Sequence, residues 1–225
     1  MISIAIDGPA GAGKSTISRM VAADIGFLYV DTGALYRSIG LYAVRHNIET
    51  TDPQQIQKML NDVVVELKFV EGEQRVFLNG EDVSEEIRLP EMSMAASNVS
   101  AIPSVRNFLF ELQQNMAKNN NVIMDGRDIG TVVLPHAQIK IFLTASPEDR
   151  AQRRFEQLKQ SGTPVHYDEL LEEIKQRDYN DSHREIAPLR QAEDAILVDT
   201  SGNTLEQSVA LLKGLIQKKL SEISK

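Results

Sequence analysis

A glycine-rich segment near the start of the chain has the residue types and spacing of a phosphate-binding loop. Residues 8–15 read GPAGAGKS and match G-x4-G-K-S. Glycines let backbone N–H groups turn inward, and a helix beginning there adds partial positive charge. We expect Lys14 to reach the β and γ phosphates of a nucleotide and the Ser15 hydroxyl to bind Mg²⁺. The alternative is a tight strand-to-helix turn that binds no ligand.

A carboxylate follows a later strand-like run, and it could serve the same metal. Residues 122–125 read VIMD and end at Asp125. In a sheet that also carries the glycine loop, Asp125 would lie beside the loop and hold Mg²⁺ through water. Taken alone, an aspartate at a strand end is more often a turn residue.

Arginines recur where a second anion would bind. Arg37 follows the end of one predicted strand, and Arg127 follows the end of another, with Asp128 after it. Ligands bind at the carboxyl ends of strands in open α/β sheets. Further basic residues lie one turn into a later helix, at Arg153 and Arg154, and on one predicted helical face with an acid between them, at Arg177, Asp181 and Arg184.

The number of arginines indicates what the second ligand is. A hydroxyl acceptor of a phosphate needs a catalytic base, whereas a phosphate acceptor is already ionised. It needs cations that offset repulsion between two polyanions, and a geometry that aligns them. For any single arginine, the alternative is a solvated surface charge.

Alternating strands and helices must position these residues. Apolar runs typical of buried parallel strands occur at Ser3–Asp7 and at 27–31, 122–125, 139–143 and 195–199, and helical patterns separate them. One helical pattern has an apolar stripe made of Val105, Phe108, Leu109, Leu112 and Met116. Arg106 lies at the edge of this stripe. The order predicts a three-layer α/β domain with a parallel sheet.

Residues 63–88 interrupt that alternation. Strand-like runs at 63–70, 75–78 and 81–83 are separated by a predicted turn at 71–73 and by Asn79-Gly80, a strong hairpin signal. We interpret this segment as a small antiparallel insert; the alternative is that it extends the main sheet. Residues 161–164 predict a turn between two helices.

Composition excludes several classes of protein. The 225 residues carry a net charge of −8 and include no cysteine, which argues against nucleic-acid binding, disulfides and thiolate chemistry. The apolar start at residues 1–6 is too short for a signal segment, and no apolar run is long enough to span a membrane. We therefore expect a cytoplasmic protein. The four histidines have no metal-ligand spacing.

Several motifs together resemble the bacterial cytidylate kinase family almost from end to end. They are IDGPAGAGKST (6–16), DTGALYR (31–37), NGEDVSEEIR (79–88), Ala95-Ala96-Ser97 with Arg106, MDGRDIGTVVLPHA (124–137), RAQRR (150–154) and KQRDYNDSHREIAPL (175–189). The first motif is common to P-loop proteins, and the others are specific to this family in combination. Thr32 stands where some members carry serine, and both keep a hydroxyl.

The resemblance implies a P-loop kinase fold with a five-stranded parallel sheet. A core would comprise residues 1–62 and 89–225, with a short helical lid at about 150–166. Residues 63–88 would form the inserted part of the domain that binds a nucleoside monophosphate (NMP). A bacterial member carries this insert where shorter eukaryotic relatives do not.

The resemblance also implies a role for each site residue. ATP would be bound by Arg154, by Asp199 to Asn203 near adenine, and by the loop residues Gly8, Pro9, Ala10, Gly11, Ala12, Gly13, Lys14, Ser15 and Thr16. CMP would be bound through its cytosine by Ser97, Arg106 and Asp128, through its ribose by Arg177 and Asp181, and near its phosphate by Arg37, Arg127 and Arg184, with Thr32 also binding CMP. Lys14, Arg127, Arg153 and Arg184 would be catalytic. The cytosine assignment also agrees with chemistry, because a carboxylate is the natural partner of the N4 amino donor.

The expected reaction is ATP-dependent phosphorylation of CMP and dCMP, with Mg²⁺, by direct in-line transfer in pyrimidine metabolism. We expect a monomer that binds neither nucleic acid nor membranes. The alternatives are another small-molecule or nucleotide kinase of the same architecture, or a nucleotide-dependent switch. The sequence has no N-K-x-D guanine motif, which argues against the switch. The switch alternative also leaves the second arginine site unexplained.

Overall fold

The structure, a computed structural model, describes residues 1–70, 73–160 and 162–223 of the chain. The predicted turns at 71–73 and 161–164 fall partly outside those residues. The eight strands of the described residues are β1 Ser3–Asp7, β2 Leu28–Asp31, β3 Val65–Val70, β4 Glu73–Leu78, β5 Glu81–Asp82, β6 Val122–Gly126, β7 Ile139–Thr144 and β8 Ile196–Asp199.

The eight α-helices of the same residues are α1 Lys14–Ile25, α2 Thr32–Arg45, α3 Pro53–Met59, α4 Met92–Ser100, α5 Pro103–Asn119, α6 Pro147–Gln160, α7 Tyr167–His183 and α8 Leu205–Ile223. Short 3₁₀ turns cover Leu60–Asp62 and Glu86–Arg88, and a π-helical turn covers Ile129–Val133. Across the described residues, no helix combines the length and apolar character needed to cross a membrane.

A five-stranded sheet has the order β2-β6-β1-β7-β8, which confirms the predicted parallel sheet. β1 pairs in parallel with β6 and with β7, and β7 pairs in parallel with β8. In this register Asp7, the last residue of β1, lies opposite Gly126, the last residue of β6. The glycine loop and the segment after β6 therefore leave the same edge of the sheet side by side.

The chain divides into two compact units. The first unit comprises residues 1–29, 120–183 and 187–225. Its core includes Ile4 and Ile6 of β1, Ile141 of β7, and Leu212 of α8, all buried. Apolar residues occupy both faces of the central strands because helices cover a parallel sheet on both sides.

The second unit comprises residues 30–119 and 184–186. It contains a separate three-stranded antiparallel sheet of order β3-β4-β5, so residues 63–88 do not extend the main sheet. Asn79 and Gly80 have positive φ, at 49° and 85°, as a tight hairpin turn requires. Val76 and Ile87 from this segment share a core with Leu35 of α2.

The predicted apolar stripe of α5 was partly wrong. Phe108 is 38% exposed, whereas Gln113 is buried and Arg106 is only 8% exposed. The buried face follows Val105, Leu109 and Gln113 at i, i+4 and i+8, which rotates it away from Phe108. Arg106 therefore lies on the buried face and not at the edge of the apolar stripe, where it was predicted.

The predicted face of Arg177, Asp181 and Arg184 also needs correction. Helix α7 ends at His183, so Arg184 lies beyond it and belongs to the second unit. Ala187, with φ of 48°, and Pro188 follow in the chain. Pro188 prevents a helix from continuing through that position, because its ring would clash with the preceding turn.

Candidate active site

The glycine loop joins β1 to α1 through backbone that other residues could not adopt. Gly8 has φ of 152°, and a Cβ built on it would lie 1.9 Å from the carbonyl oxygen of Leu143. Gly13, just before α1, has φ of 87°. Ser15 and Thr16, in the first turn of α1, are exposed. The loop thus places a helix N-terminus, two hydroxyl groups and glycine backbone without side chains at one edge of the sheet. A phosphate-binding loop needs these features.

Lys14 is held inside this cradle. Its Nζ donates to the carbonyl oxygen of Pro9 at 2.8 Å, and the side chain is buried. The pKa of Lys14 is lowered to about 7, chiefly by burial and also by the positive charges of Arg127 and Arg177. Asp125 and Asp7 act on this pKa in the opposite direction. Two arginines therefore lie close enough to Lys14 for their charges to act on it.

A carboxylate and two hydroxyls meet beside the loop. Ser15 Oγ donates to Asp125 Oδ2 at 2.8 Å, and Tyr29 Oη donates to Asp125 Oδ1 at 3.2 Å. Asp125 is 2% exposed. Hydroxyl and carboxylate oxygens are the hard donors that Mg²⁺ prefers, and Mg²⁺ commonly takes its other ligands from water and phosphate. The donor set of Ser15 and Asp125 fits this ion.

Arg127 and Asp181 form a largely buried ion pair in the first unit. Arg127 Nε donates to Asp181 Oδ2 at 2.9 Å, and its Nη1 donates to the carbonyl oxygen of Gly126 at 3.4 Å. Asp128, the next residue, is buried and has φ of −147° just before the π-helical turn. Arg177 lies one turn before Asp181 on α7. The first unit thus brings Arg127, Arg177 and Asp181 together near Lys14.

Helix α6 presents two arginines to different partners. Arg153 Nη2 donates to the carbonyl oxygen of Thr200 at 2.8 Å, and its Nη1 lies 4.0 Å from where a Cβ of Gly13 would stand. Arg154 Nη1 donates to Gln157 at 2.9 Å, and burial lowers the pKa of Arg154. Arg153 therefore lies beside the glycine loop, on the side where the chain continues from β8.

A cavity of about 420 Å³ opens next to the loop in the first unit. Its lining includes Pro9, Ala145, Arg150, Asp199 and Ser201. Asp199 Oδ1 accepts hydrogen bonds from the backbone N–H and the hydroxyl of Ser201 at 2.9 and 2.7 Å. The volume falls within the range of small-molecule pockets.

In the second unit, Ser100 joins three of the predicted site residues. Ser100 Oγ donates to the carbonyl oxygen of Ser97 at 2.8 Å and accepts from Arg184 Nη1 at 3.0 Å. Its carbonyl oxygen accepts from Arg106 Nη1 at 3.2 Å. The Arg106 guanidinium also lies 5.7 Å from the centre of the Tyr36 ring. The second unit therefore brings Ser97, Arg106 and Arg184 together.

The start of α2 carries Thr32 and Arg37. The Asp31 side chain caps this helix by accepting from Ala34 N, and Thr32 is buried. The Gln74 side chain accepts from Asp31 N at 2.9 Å and donates to Asp31 O at 3.3 Å, so the antiparallel sheet holds the residue before Thr32. Arg37 Nη1 donates to Ile87 O at 3.0 Å.

Sequence reasoning missed the role of Arg150, which ties the loop to two helices. Its guanidinium donates to Ala145 O at 2.9 Å, to Ala10 O at 3.0 Å and, through two nitrogens, to Asp178 at 2.9 and 2.5 Å. Arg150 is buried. It opens the RAQRR segment, in which the family resemblance assigns roles to Arg153 and Arg154 only.

Ser100, Tyr29 and Asp7 were missed as well. Ser100 follows Ser97 by three residues on α4, a spacing that would have placed both on one helical face. Asp7 precedes the glycine loop directly, where a charged residue at a buried strand end was a signal. Nothing in the local sequence marks Tyr29 as a partner of Asp125.

Comparisons with known proteins identify the family of this chain. A family model described as "Cytidylate kinase" matches residues 4–218. A cytidylate kinase of Caldicellulosiruptor bescii is 54% identical over 217 residues, covering 96% of each chain. One of Lactobacillus johnsonii is 46% identical over 219 residues, covering 97% of this chain and 95% of the other.

One solved structure adds a likeness of fold alone. The crystal structure of an uncharacterized protein from Eubacterium ventriosum gives a TM-score of 0.50 at 11% identity, over 96% of this chain and 99% of that one. The family match carries more weight, because it spans nearly the whole chain at high identity. The chain therefore belongs to the cytidylate kinase family and is a nucleoside monophosphate kinase, a phosphotransferase.

Proposed function

We propose that this enzyme uses ATP, with Mg²⁺, to phosphorylate CMP and dCMP to their diphosphates. The observation that carries the proposal is the cationic surroundings of Lys14. The charges of Arg127 and Arg177 both act on its ammonium group, which already lies in a phosphate cradle. Cations in excess of those that one nucleotide needs are what a second phosphate requires as it approaches the first.

The chemical step is a direct in-line displacement. A phosphate oxygen of CMP attacks the γ phosphorus of ATP, and the bond from that phosphorus to the β–γ bridging oxygen breaks as ADP leaves. No proton must be removed, because the attacking oxygen is already ionised. Lys14, Arg127, Arg153 and Arg184 hold the charge of the transferring group. Catalysis here is positioning and electrostatic stabilisation.

Ser15 and Asp125 would hold the magnesium ion, Ser15 directly and Asp125 through water. When bound, the ion neutralises charge on the β and γ phosphate oxygens. The Ser15–Asp125 hydrogen bond at 2.8 Å supports this assignment, because both oxygens lie beside the loop. Tyr29 orients the other oxygen of the carboxylate from 3.2 Å.

The acceptor is assigned to residues of both units, each considered by itself. In the first unit, Asp128 would accept from the cytosine N4 amino group, Arg177 and Asp181 would bind the ribose, and Arg127 the phosphate. In the second unit, Ser97 and Arg106 would donate to cytosine acceptors, Arg37 and Arg184 would bind the phosphate, and Thr32 would also contact CMP. Their hydrogen bonds to Ser100 support the assignment of Ser97, Arg106 and Arg184 to one ligand.

For ATP, the proposal assigns the phosphates to residues 8–16 and the adenine to the neighbourhood of residues 199–203. The cavity bordered by Pro9, Asp199 and Ser201 supports that placement. Residues 150–166, with Arg153 and Arg154, would act as a lid that excludes water and suppresses ATP hydrolysis. Residues 63–88 would be the inserted part of the NMP-binding domain, and residues 1–62 and 89–225 the core.

The test is the rate of ADP formation with and without added CMP. We expect ATP turnover to be slow alone and to rise at least about a hundredfold with CMP, with CDP formed in equal amount to ADP. The Lys14→Ala variant, if folded by circular dichroism, should lose this stimulation. ATP turnover that CMP leaves unchanged would favour the nucleotide-dependent switch. Stimulation only by other acceptors would favour a different small-molecule kinase.

A further inference from the structure

A buried carboxylate at the end of β1 links the start of the glycine loop to the segment that carries Asp128. Asp7 Oδ1 accepts from the backbone N–H of Ile129 at 2.7 Å, and Oδ2 accepts from that of Gly130 at 2.7 Å. Asp7 is 4% exposed and lies opposite Gly126 in the strand register. One side chain thus holds two consecutive N–H groups from the other segment.

The proposed mechanism gives Asp7 no contact with a substrate, and its charge raises the pKa of Lys14, an effect that would act on every acceptor equally. Burying a carboxylate is unfavourable unless hydrogen bonds compensate it. The pKa of Asp7 is raised to about 6, chiefly by burial and also by the nearby charge of Asp128, although the two N–H bonds act to lower it. Because burying this carboxylate is unfavourable, its presence indicates that the two hydrogen bonds to Ile129 and Gly130 have a role in holding that segment.

What they hold is the turn that follows Asp128. Ile129 and Gly130 are the first two residues of the π-helical turn, and Asp128 precedes it with non-helical φ and ψ of −147° and 25°. The Asp128 carbonyl oxygen accepts from Val132 N at 2.8 Å, so the turn closes back on it. Fixing the next two N–H groups therefore fixes the peptide from which the Asp128 side chain projects.

We propose that Asp7 is a positioning residue for base selection: it holds the turn at 129–130 and thereby orients the Asp128 carboxylate toward the N4 amino group of cytosine. The inference rests on the proposed function, which assigns Asp128 to the base. A competing role for Asp7 is support of the adjoining glycine loop. That role would affect ATP and every acceptor equally and would not change the choice between acceptors.

The test is Asp7→Asn, with kcat/KM measured for CMP and for UMP. Asparagine has one acceptor oxygen and an NH₂ group, so one backbone N–H would face a donor. We expect the CMP to UMP ratio of kcat/KM to fall about tenfold, as expected for loss of one charge-assisted bond to a buried group. An unchanged ratio, with both values reduced together, would overturn the proposal.

A matched control exists in the second unit. Asp52 also accepts from two backbone N–H groups, of Gln54 at 2.9 Å and Gln55 at 3.1 Å, and it has no proposed part in the site. Asp52→Asn should leave the CMP to UMP ratio unchanged. A ratio that fell equally in this variant would make the effect one of general destabilisation and would contradict the proposal.

A second variant, Gly130→Ala, tests the positioning role of Asp7 if Asp7→Asn does not fold. A Cβ on Gly130 would lie 3.3 Å from Asp7 Oδ2 and 3.2 Å from Cδ of Lys140. Gly130→Ala therefore crowds the same contact and leaves the carboxylate in place. We expect a fall in the CMP to UMP ratio of about threefold, smaller because the flexible Lys140 chain can give way. An unchanged ratio in a folded Gly130→Ala protein would overturn the proposal in that case.

Asp128→Asn separates failure of this inference from failure of the proposed function. If wild type prefers CMP, Asp128→Asn loses the preference and Asp7→Asn keeps it, only the inference about Asp7 fails. If wild type does not prefer CMP to UMP, the proposed function fails, and the inference falls with it.

Discussion

Ser15 Oγ and Asp125 Oδ2 lie 2.8 Å apart, although 110 positions separate them in the chain. The contact forms because β1 and β6 are parallel neighbours whose carboxyl ends meet at one edge of the sheet. Asp125 comes from the end of β6, and Ser15 from the first turn of the helix that follows β1. This pairing places a hydroxyl and a carboxylate where a phosphate-bound cation would lie.

Asp125→Asn should raise the Mg²⁺ concentration that gives half-maximal activity by about tenfold or more, since outer ligands of a metal site typically contribute that much. The measurement is a Mg²⁺ titration at saturating ATP. Tyr29→Phe is the matched variant, because it removes one hydrogen bond to the carboxylate and keeps the charge. It should give a smaller shift in the same direction. An unchanged midpoint in Asp125→Asn would remove this residue from the metal site.

Asp181→Ala should weaken CMP more than ATP. The side chain pairs with Arg127 Nε at 2.9 Å, so its loss frees an arginine assigned to the acceptor phosphate and removes a group assigned to the ribose. We expect KM for CMP to rise about tenfold, as for loss of one charge-assisted hydrogen bond. The exposed Asp168, on the same helix, provides the control Asp168→Ala with no expected change. Equal weakening of both nucleotides would identify Asp181 as a structural ion-pair residue.

Arg150→Ala should destabilise the first unit and loosen the glycine loop. The variant leaves the Asp178 carboxylate and the carbonyl oxygens of Ala145 and Ala10 without this donor. Removing one partner of a buried pair typically lowers the free energy of unfolding by about 3 kcal/mol. Chemical denaturation measures this loss, and KM for ATP should rise with it. Lys159→Ala, an exposed change on the same helix, should affect neither quantity. Wild-type stability in Arg150→Ala would contradict the assigned role.

The raised pKa of Asp7 predicts how the free energy of unfolding depends on pH. Its pKa is raised from 3.8 to about 6 in the folded state, so the folded protein holds this proton more tightly than the unfolded chain does. The associated stabilisation is fully present below pH 3.8 and is lost as pH rises through 6. Between pH 4 and pH 7, wild type should lose about 2 kcal/mol of unfolding free energy relative to Asp7→Asn. A difference that does not change with pH would show that the pKa is not raised.

The sequence predicted the glycine loop and the parallel strands because local patterns encode both. These patterns depend only on residues that are near one another in the chain. They are the apolar run at 3–7, the glycines after it and the helical spacing from Ile17. The same holds for Asn79-Gly80, whose positive φ values are a property of those two residues.

The contacts of Asp7, Arg150 and Ser100 could not be predicted in this way. Asp7 meets Ile129 across 122 positions, and Arg150 meets Ala10 across 140, so each depends on strand register and helix placement. Helix α5 differs for a related reason: burying Gln113 and Arg106 depends on polar partners such as Ser100 O and Leu109 O, which hydropathy does not record. The end of α7 before Arg184 was missed although Pro188 follows nearby.

The most direct test of the account is a comparison of kcat/KM for CMP, dCMP, UMP and AMP with ATP as donor, following formation of each diphosphate. We predict that CMP and dCMP exceed UMP and AMP by about a hundredfold or more, because a carboxylate accepts from the cytosine amino group and repels the uracil carbonyl. Equal values for CMP and UMP, or a preference for AMP, would contradict the assignment of Asp128, Arg106 and Ser97 to cytosine.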